Sequence, residues 1–196
     1  MVMMASRGET RAQVLQTASS LFSRQGFHAT GVTQVLAEAD APKGSLYFHF
    51  PGGKEQLAAE AVSVGAGELG QVIDTLIERA PDPASAITAM ADLLVARLEG
   101  SDFADGCPIA TVALDAGADS TPIRAACRAG YDQWLASIAG YFAGLGVSAE
   151  TASELALLAL SSLEGALLLA KTRRDTAPLH RVADRIAALI TQEVAA

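Results

Sequence analysis

The stretch from Thr30 to Leu57 constrains this chain more than any other part of it. Apolar Val32, Val35, Leu36 and Ala39 recur at helical spacing and predict a short helix that runs into a tight turn at Asp40-Ala41. A second short helix follows at once, opened by Pro42 and carrying Lys43, Ser45, Tyr47 and His49. Two brief helices joined by a turn of about three or four residues form a helix-turn-helix, whose second helix fits the major groove of DNA. The segment is therefore expected to read DNA.

The turn chemistry agrees. Such a turn needs a residue at or near the left-handed conformation, and aspartate is among the few besides glycine that tolerate it. Asp40 stands where that residue belongs. Pro42 suits a first helical turn, where a missing N–H costs nothing. Gly44 leaves no side chain, so backbone or long neighbouring side chains can approach DNA closely. The free N–H groups at the start of the helix suit a phosphate.

The run Lys43-Gly44-Ser45-Leu46-Tyr47-Phe48-His49-Phe50, followed by Lys54-Glu55-Gln56-Leu57, resembles the recognition helix and the start of the fourth helix of the TetR family of bacterial regulators. Ala41-Pro42-Lys43, Phe50-Pro51-Gly52-Gly53-Lys54 and, further on, Gly106-Cys107-Pro108-Ile109-Ala110 resemble its LmrA/YxaF-like branch. The first resemblance covers residues 7 to 57. It implies an all-α chain: residues 1–53 as a three-helix DNA-binding domain, and residues 54–196 as a larger helical domain for effector binding and dimerisation. Two positions depart from the family's pattern. Many relatives carry glycine at Asp40, and many carry a hydroxylated or imidazole ring at Phe48. Phenylalanine cannot donate a hydrogen bond, so apolar contact with sugar or a thymine methyl is expected there instead.

A net charge of −8 looks wrong for a DNA binder until it is located. Up to residue 60, Arg7, Arg11, Arg24, Lys43 and Lys54 balance Glu9, Glu38, Asp40, Glu55 and Glu60. The whole excess of acid lies beyond, where it would face away from DNA. Cys107 and Cys127, with no secretory signal at the start, argue against a disulfide framework and for a cytoplasmic protein. The longest apolar run, Leu155 to Ala170, is interrupted by Ser161, Ser162 and Glu164 and is expected to fall short of a bilayer span. No membrane partner is expected.

Helices are predicted almost throughout: Arg7 to Gln25, stopped by Gly26; Lys54 to Arg79; Pro83 to Glu99 after the Pro81-Asp82-Pro83 break; Pro108 to Ala118; Pro122 to Phe142; Ser148 to Lys171; and a last one opened by Pro178. The helix from Pro122 carries Cys127, Tyr131, Trp134, Ile138, Tyr141 and Phe142 at helical spacing. Such a stripe is ordinary core or one wall of an apolar cavity. Because the family's second domain usually binds a small effector, Met90, Phe103, Ile109, Val112 and Trp134 are the expected wall residues. The helix ending at Lys171 is apolar over most of its circumference, with Ala159, Ser161, Ser162, Gly165 and Ala166 interleaved, so it is either central or at an interface. With the last helix (Leu179, Val182, Ile186, Leu189, Ile190) it is expected to form a four-helix dimer interface. Glu164 within it is either a partnered acid or a ligand anchor.

Catalysis finds no support. His28, His49 and His180 are scattered, neither cysteine has metal-ligand spacing, and Gly52-Gly53-Lys54 lacks the rest of a phosphate loop. No enzyme, cofactor or metal is expected. The expected function is a homodimeric regulator, a repressor released from a palindromic double-stranded DNA operator by a small hydrophobic or aromatic effector. Thr33, Pro42, Lys43, Gly44, Ser45, Tyr47, His49 and Lys54 are the expected DNA-facing residues. Two alternatives remain at this stage: a thiol-based redox sensor using Cys107 and Cys127, and a helical ligand-binding or adaptor module that does not bind DNA.

Overall fold

The computed structural model describes residues 7–195, which form an all-α chain. The helices are α1 (Arg7–Ala29), α2 (Val32–Glu38), α3 (Ser45–His49), α4 (Gly53–Arg79), α5 (Pro83–Gly100), α6 (Ala110–Ala116), α7 (Thr121–Gly144), α8 (Ala149–Arg173) and α9 (Ala177–Ala195). They gather into two compact units. One comprises residues up to Glu68 together with Pro108–Gly130, the other Leu69–Cys107 with Tyr131–Ala196. The chain passes from one to the other within α4, before Pro108 and within α7.

In the first unit, α1 packs against α2 and α6, and α2 against α3. Val14, Ala18 and Phe22 of α1, Val35 and Leu36 of α2, Leu46 of α3 and Leu57 and Ala58 of α4 are buried together with Val112 of α6. The break foreseen at Gly26 is present, with φ 81° and ψ 176° inside α1. A Cβ there would stand 2.8 Å from the carboxylate of Asp115. Gly26→Ala therefore combines a left-handed strain with a clash and should destabilise the fold by about 1–3 kcal/mol. Urea unfolding midpoints measure it, and an unchanged midpoint would show that the break carries no strain.

In the second unit, α5 packs along α9, and α8 packs on both. Asp82 caps α5 by accepting the Ser85 N–H at 2.8 Å, with Pro83 in the first turn. Ser148 caps α8 in the same way through Thr151, and Arg174 ends it at φ 52°. Leu179, Ile186 and Ile190, part of the stripe expected to serve with α8 in a dimer interface, are buried within this unit, which leaves Val182 and Leu189 partly exposed. The apolar run of α8 is also longer than expected. By length and composition alone it could cross a membrane, with a mean hydropathy of 1.5 over its most apolar window. Packing on α5 and α9 gives one side of it another use.

Candidate nucleic-acid surface and ligand cavity

α2 ends in a turn made by backbone geometry alone. Asp40 takes φ 47°, the left-handed value its position demands, and the Ala41 N–H reaches back to the Leu36 carbonyl at 2.8 Å. α3 then begins three residues later than its sequence suggests. Pro42 does not open the helix but precedes it: its carbonyl accepts both the Ser45 N–H at 2.9 Å and the Ser45 hydroxyl at 2.6 Å. Ser45 is half-buried and already engaged in holding that turn, whereas Pro42, Lys43 and Gly44 are exposed. Leu46 and Phe50 anchor α3 to the core, so Tyr47, 72% exposed, and Phe48 project outward. His49 is half-buried, its ring edge-on to Phe48. Thr33 is exposed near the start of α2.

A hydrogen-bond network fixes the loop that leaves α3. Phe50 lies under the Arg11 guanidinium, whose carbon is 5.0 Å from the ring centroid. Arg11 pairs with Glu60, which accepts from Gln56 at 2.8 Å; Gln56 in turn accepts the Gly52 N–H at 2.7 Å. Gly53 takes φ 67° with the Tyr47 ring beside it, so this position favours glycine. The loop thereby sets where α3 and the first turn of α4 stand.

Lys54 is less free than its sequence position suggests. Its ammonium lies 4.3 Å from the centroid of Phe27, and partial burial lowers its pKa while the Asp115 carboxylate acts against that shift. Asp115, on α6, also accepts the His28 N–H at 2.7 Å. Sequence reasoning missed Asp115, because nothing near it in the chain hints at partners so many residues away.

In the second unit, a cavity with a free volume of about 50 Å³ lies among α4, α5, α7 and α8. Met90 and Trp134, two of the five expected wall residues, line it, with Leu69, Ile73, Ile87 and Leu163 among the others. The remaining three do not. Ile109 is fully buried in the first unit, where its side chain fills the space over Gly130. Val112 faces the core of that same unit, from a helix that packs on α1. Phe103 sits in the loop after α5 at φ 60°, its ring under Arg174, which also pairs with Asp102.

Glu164 lines the cavity, and burial raises its pKa, an effect the Cys107 thiol partly offsets by hydrogen bonding. Because the folded protein holds this proton more tightly than the unfolded chain, the resulting stability is full below the ordinary glutamate value. It is lost as pH rises through the folded value. Glu164→Gln should therefore gain stability relative to wild type as pH rises above the ordinary glutamate value. Urea midpoints across that rise check it; parallel curves would contradict it.

Both cysteines are buried and neither forms a disulfide, and desolvation pushes the Cys127 thiol up. A thiol held protonated is a poor redox sensor. Among the described residues, no group of three or more His, Cys, Asp or Glu is placed to hold a metal ion.

The outer face of α8 exposes Leu157, Leu158, Leu168 and Leu169 around Ser161 and Gly165. A Cβ on Gly165 would meet nothing within 4 Å.

Comparison with known proteins places these features. Residues 14–61 match the family described as bacterial regulatory proteins, tetR family, and residues 83–185 match the LmrA/YxaF-like transcriptional regulator C-terminal domain. The chain is 35% identical over 190 residues to the uncharacterized HTH-type transcriptional regulator YxaF of Bacillus subtilis, covering 97% of this chain and 100% of that one. It is also 35% identical to the HTH-type transcriptional regulator LmrA of the same organism, over 94% of this chain and 98% of the relative. The solved structure of a TetR transcriptional regulator from Chloroflexus aurantiacus superposes with a TM-score of 0.80 at 28% identity, covering 95% of this chain and 96% of that one.

Proposed function

The chain belongs to the TetR family of bacterial transcriptional regulators, in its LmrA/YxaF-like branch, and from that premise we propose that it is a cytoplasmic, homodimeric repressor released from a palindromic operator by a small apolar effector. The observation that carries the DNA-reading half is the exposed surface of Thr33, Pro42, Lys43, Gly44 and Tyr47, presented on a head whose backbone is fixed on both sides. Lys43 reaches a base edge or phosphate at the mouth of the groove, and Tyr47 and His49 donate to phosphates. Lys54 contacts phosphate from the first turn of α4, exchanging its position over Phe27 for that anion. Phe48 supplies apolar contact.

Residues 54–196 bind effector and partner in this reading. The leucine face of α8, with Val182 and Leu189 of α9, meets the same face of a second copy. A self-complementary patch closes a two-fold dimer and so fits a palindrome. The effector enters the cavity lined by Met90 and Trp134. A free volume of about 50 Å³ holds only a few water-sized groups, so a larger molecule must push the walls apart. Leu69, Ile73 and Ile77 on that wall belong to α4, the helix that begins beside the DNA-facing loop. A ligand that favours the widened arrangement over the DNA-competent one lowers operator affinity.

Trp134 is the chain's only tryptophan, which makes a direct test available. Apolar aromatic compounds that release operator DNA should change Trp134 fluorescence over the same concentration range. Ala86→Phe, which fills the cavity, should remove both responses and leave operator binding in place. A compound that releases DNA equally from wild type and Ala86→Phe would put the effector site elsewhere.

A further inference from the structure

The cavity among α4, α5, α7 and α8 is apolar along nearly its whole wall, and Glu164 is the one residue of formal charge that lines it. No lysine, arginine or histidine shares that wall. The Cys107 thiol, a weak donor, hydrogen-bonds the carboxyl. Glu164 is half-buried on the flank of α8, between the exposed Leu157 and Leu168 and the inward Leu160 and Leu163, and lines the edge of the cavity.

An ionised carboxylate in such a wall is costly unless an opposite charge accompanies it. A neutral ligand leaves that cost in place or keeps the carboxyl protonated; an anionic ligand is repelled. A ligand bearing one protonated amine removes the cost by pairing with the half-buried carboxylate, and the aromatic rings of Trp134 and Tyr141 line the same cavity. We infer that the effector is a lipophilic amine, its apolar body held by the walls around Met90 and Trp134 and its ammonium group paired with Glu164. The inference rests on the reading of this cavity as the effector site and adds to it the chemical class of the ligand.

The test compares 4-phenylbutylamine, cationic at neutral pH, with the neutral 4-phenyl-1-butanol, each titrated into the full chain with Trp134 fluorescence as readout. Wild type should bind the amine about tenfold or more tightly than the alcohol. Glu164→Gln should reduce that ratio to about twofold or less, and Glu164→Asp should keep most of it. Equal affinities in wild type, or an undiminished ratio in Glu164→Gln, would overturn the amine inference and leave the effector cavity standing. If neither compound perturbs Trp134 in wild type, nor competes with any compound that releases the operator, the cavity reading falls and the inference falls with it.

Discussion

Gly165→Leu yields a helical monomer whose operator affinity is lower by roughly 10²- to 10⁴-fold, the advantage that linking two half-site contacts confers. The size of the effect follows from the position. A Cβ at Gly165 meets nothing within the chain, so leucine there fits the folded subunit without strain and replaces a poor helix former with a good one. The cost arises only if a second α8 approaches this point closely. There, added methylenes overpack the contact between the leucine faces by about 1–3 kcal/mol in each symmetric copy. Circular dichroism separates the two cases: full helicity with a halved mass in sedimentation supports the interface, whereas a dimeric Gly165→Leu protein places assembly on another surface.

Lys43→Ala should cost about 1–3 kcal/mol in operator binding per half-site and relax the sequence preference at the base it reads. Lys43 is exposed just before α3, whereas the anchors Leu46 and Phe50 are buried, so its removal leaves the fold intact. Lys54→Ala should instead weaken all sequences about equally and flatten the salt dependence by about one unit of slope. It also gives up the contact with the Phe27 ring, a loss of about 0.5–1 kcal/mol that appears in stability rather than in DNA binding. Competition binding against a randomised operator separates the two; equal specificity profiles for wild type and Lys43→Ala would remove Lys43 from base reading.

Much of this was legible in the sequence because the signals are local. Gly26 announced a break, Asp40 a left-handed turn residue, and Pro83 a helix start, and each does so through its own backbone. The start of α3 was misjudged because proline is as compatible with a turn before a helix as with its first turn, and only the bonds from Ser45 to the Pro42 carbonyl decide between them. The cavity was half legible. Trp134 and Met90, chosen by size and direction, line a cavity, whereas Ile109 and Val112 have the same character and pack in a different core. Apolar residues carry no mark of which core they join. The same holds for α9, whose apolar stripe is mostly spent on α5 and α8. Asp115 and the Arg11–Glu60–Gln56 chain are polar contacts across long sequence separations, which no local pattern encodes.

Hydroxyl-radical footprinting on genomic fragments captured by the purified protein tests the central claim most directly. A dimer presenting two copies of α3 should protect two inverted half-sites about one helical turn or somewhat more apart, on one face of the duplex. Two chains should be bound per protected site, and protection should fall as salt rises. A single unpaired half-site, or fragments without a shared inverted repeat, would contradict the account.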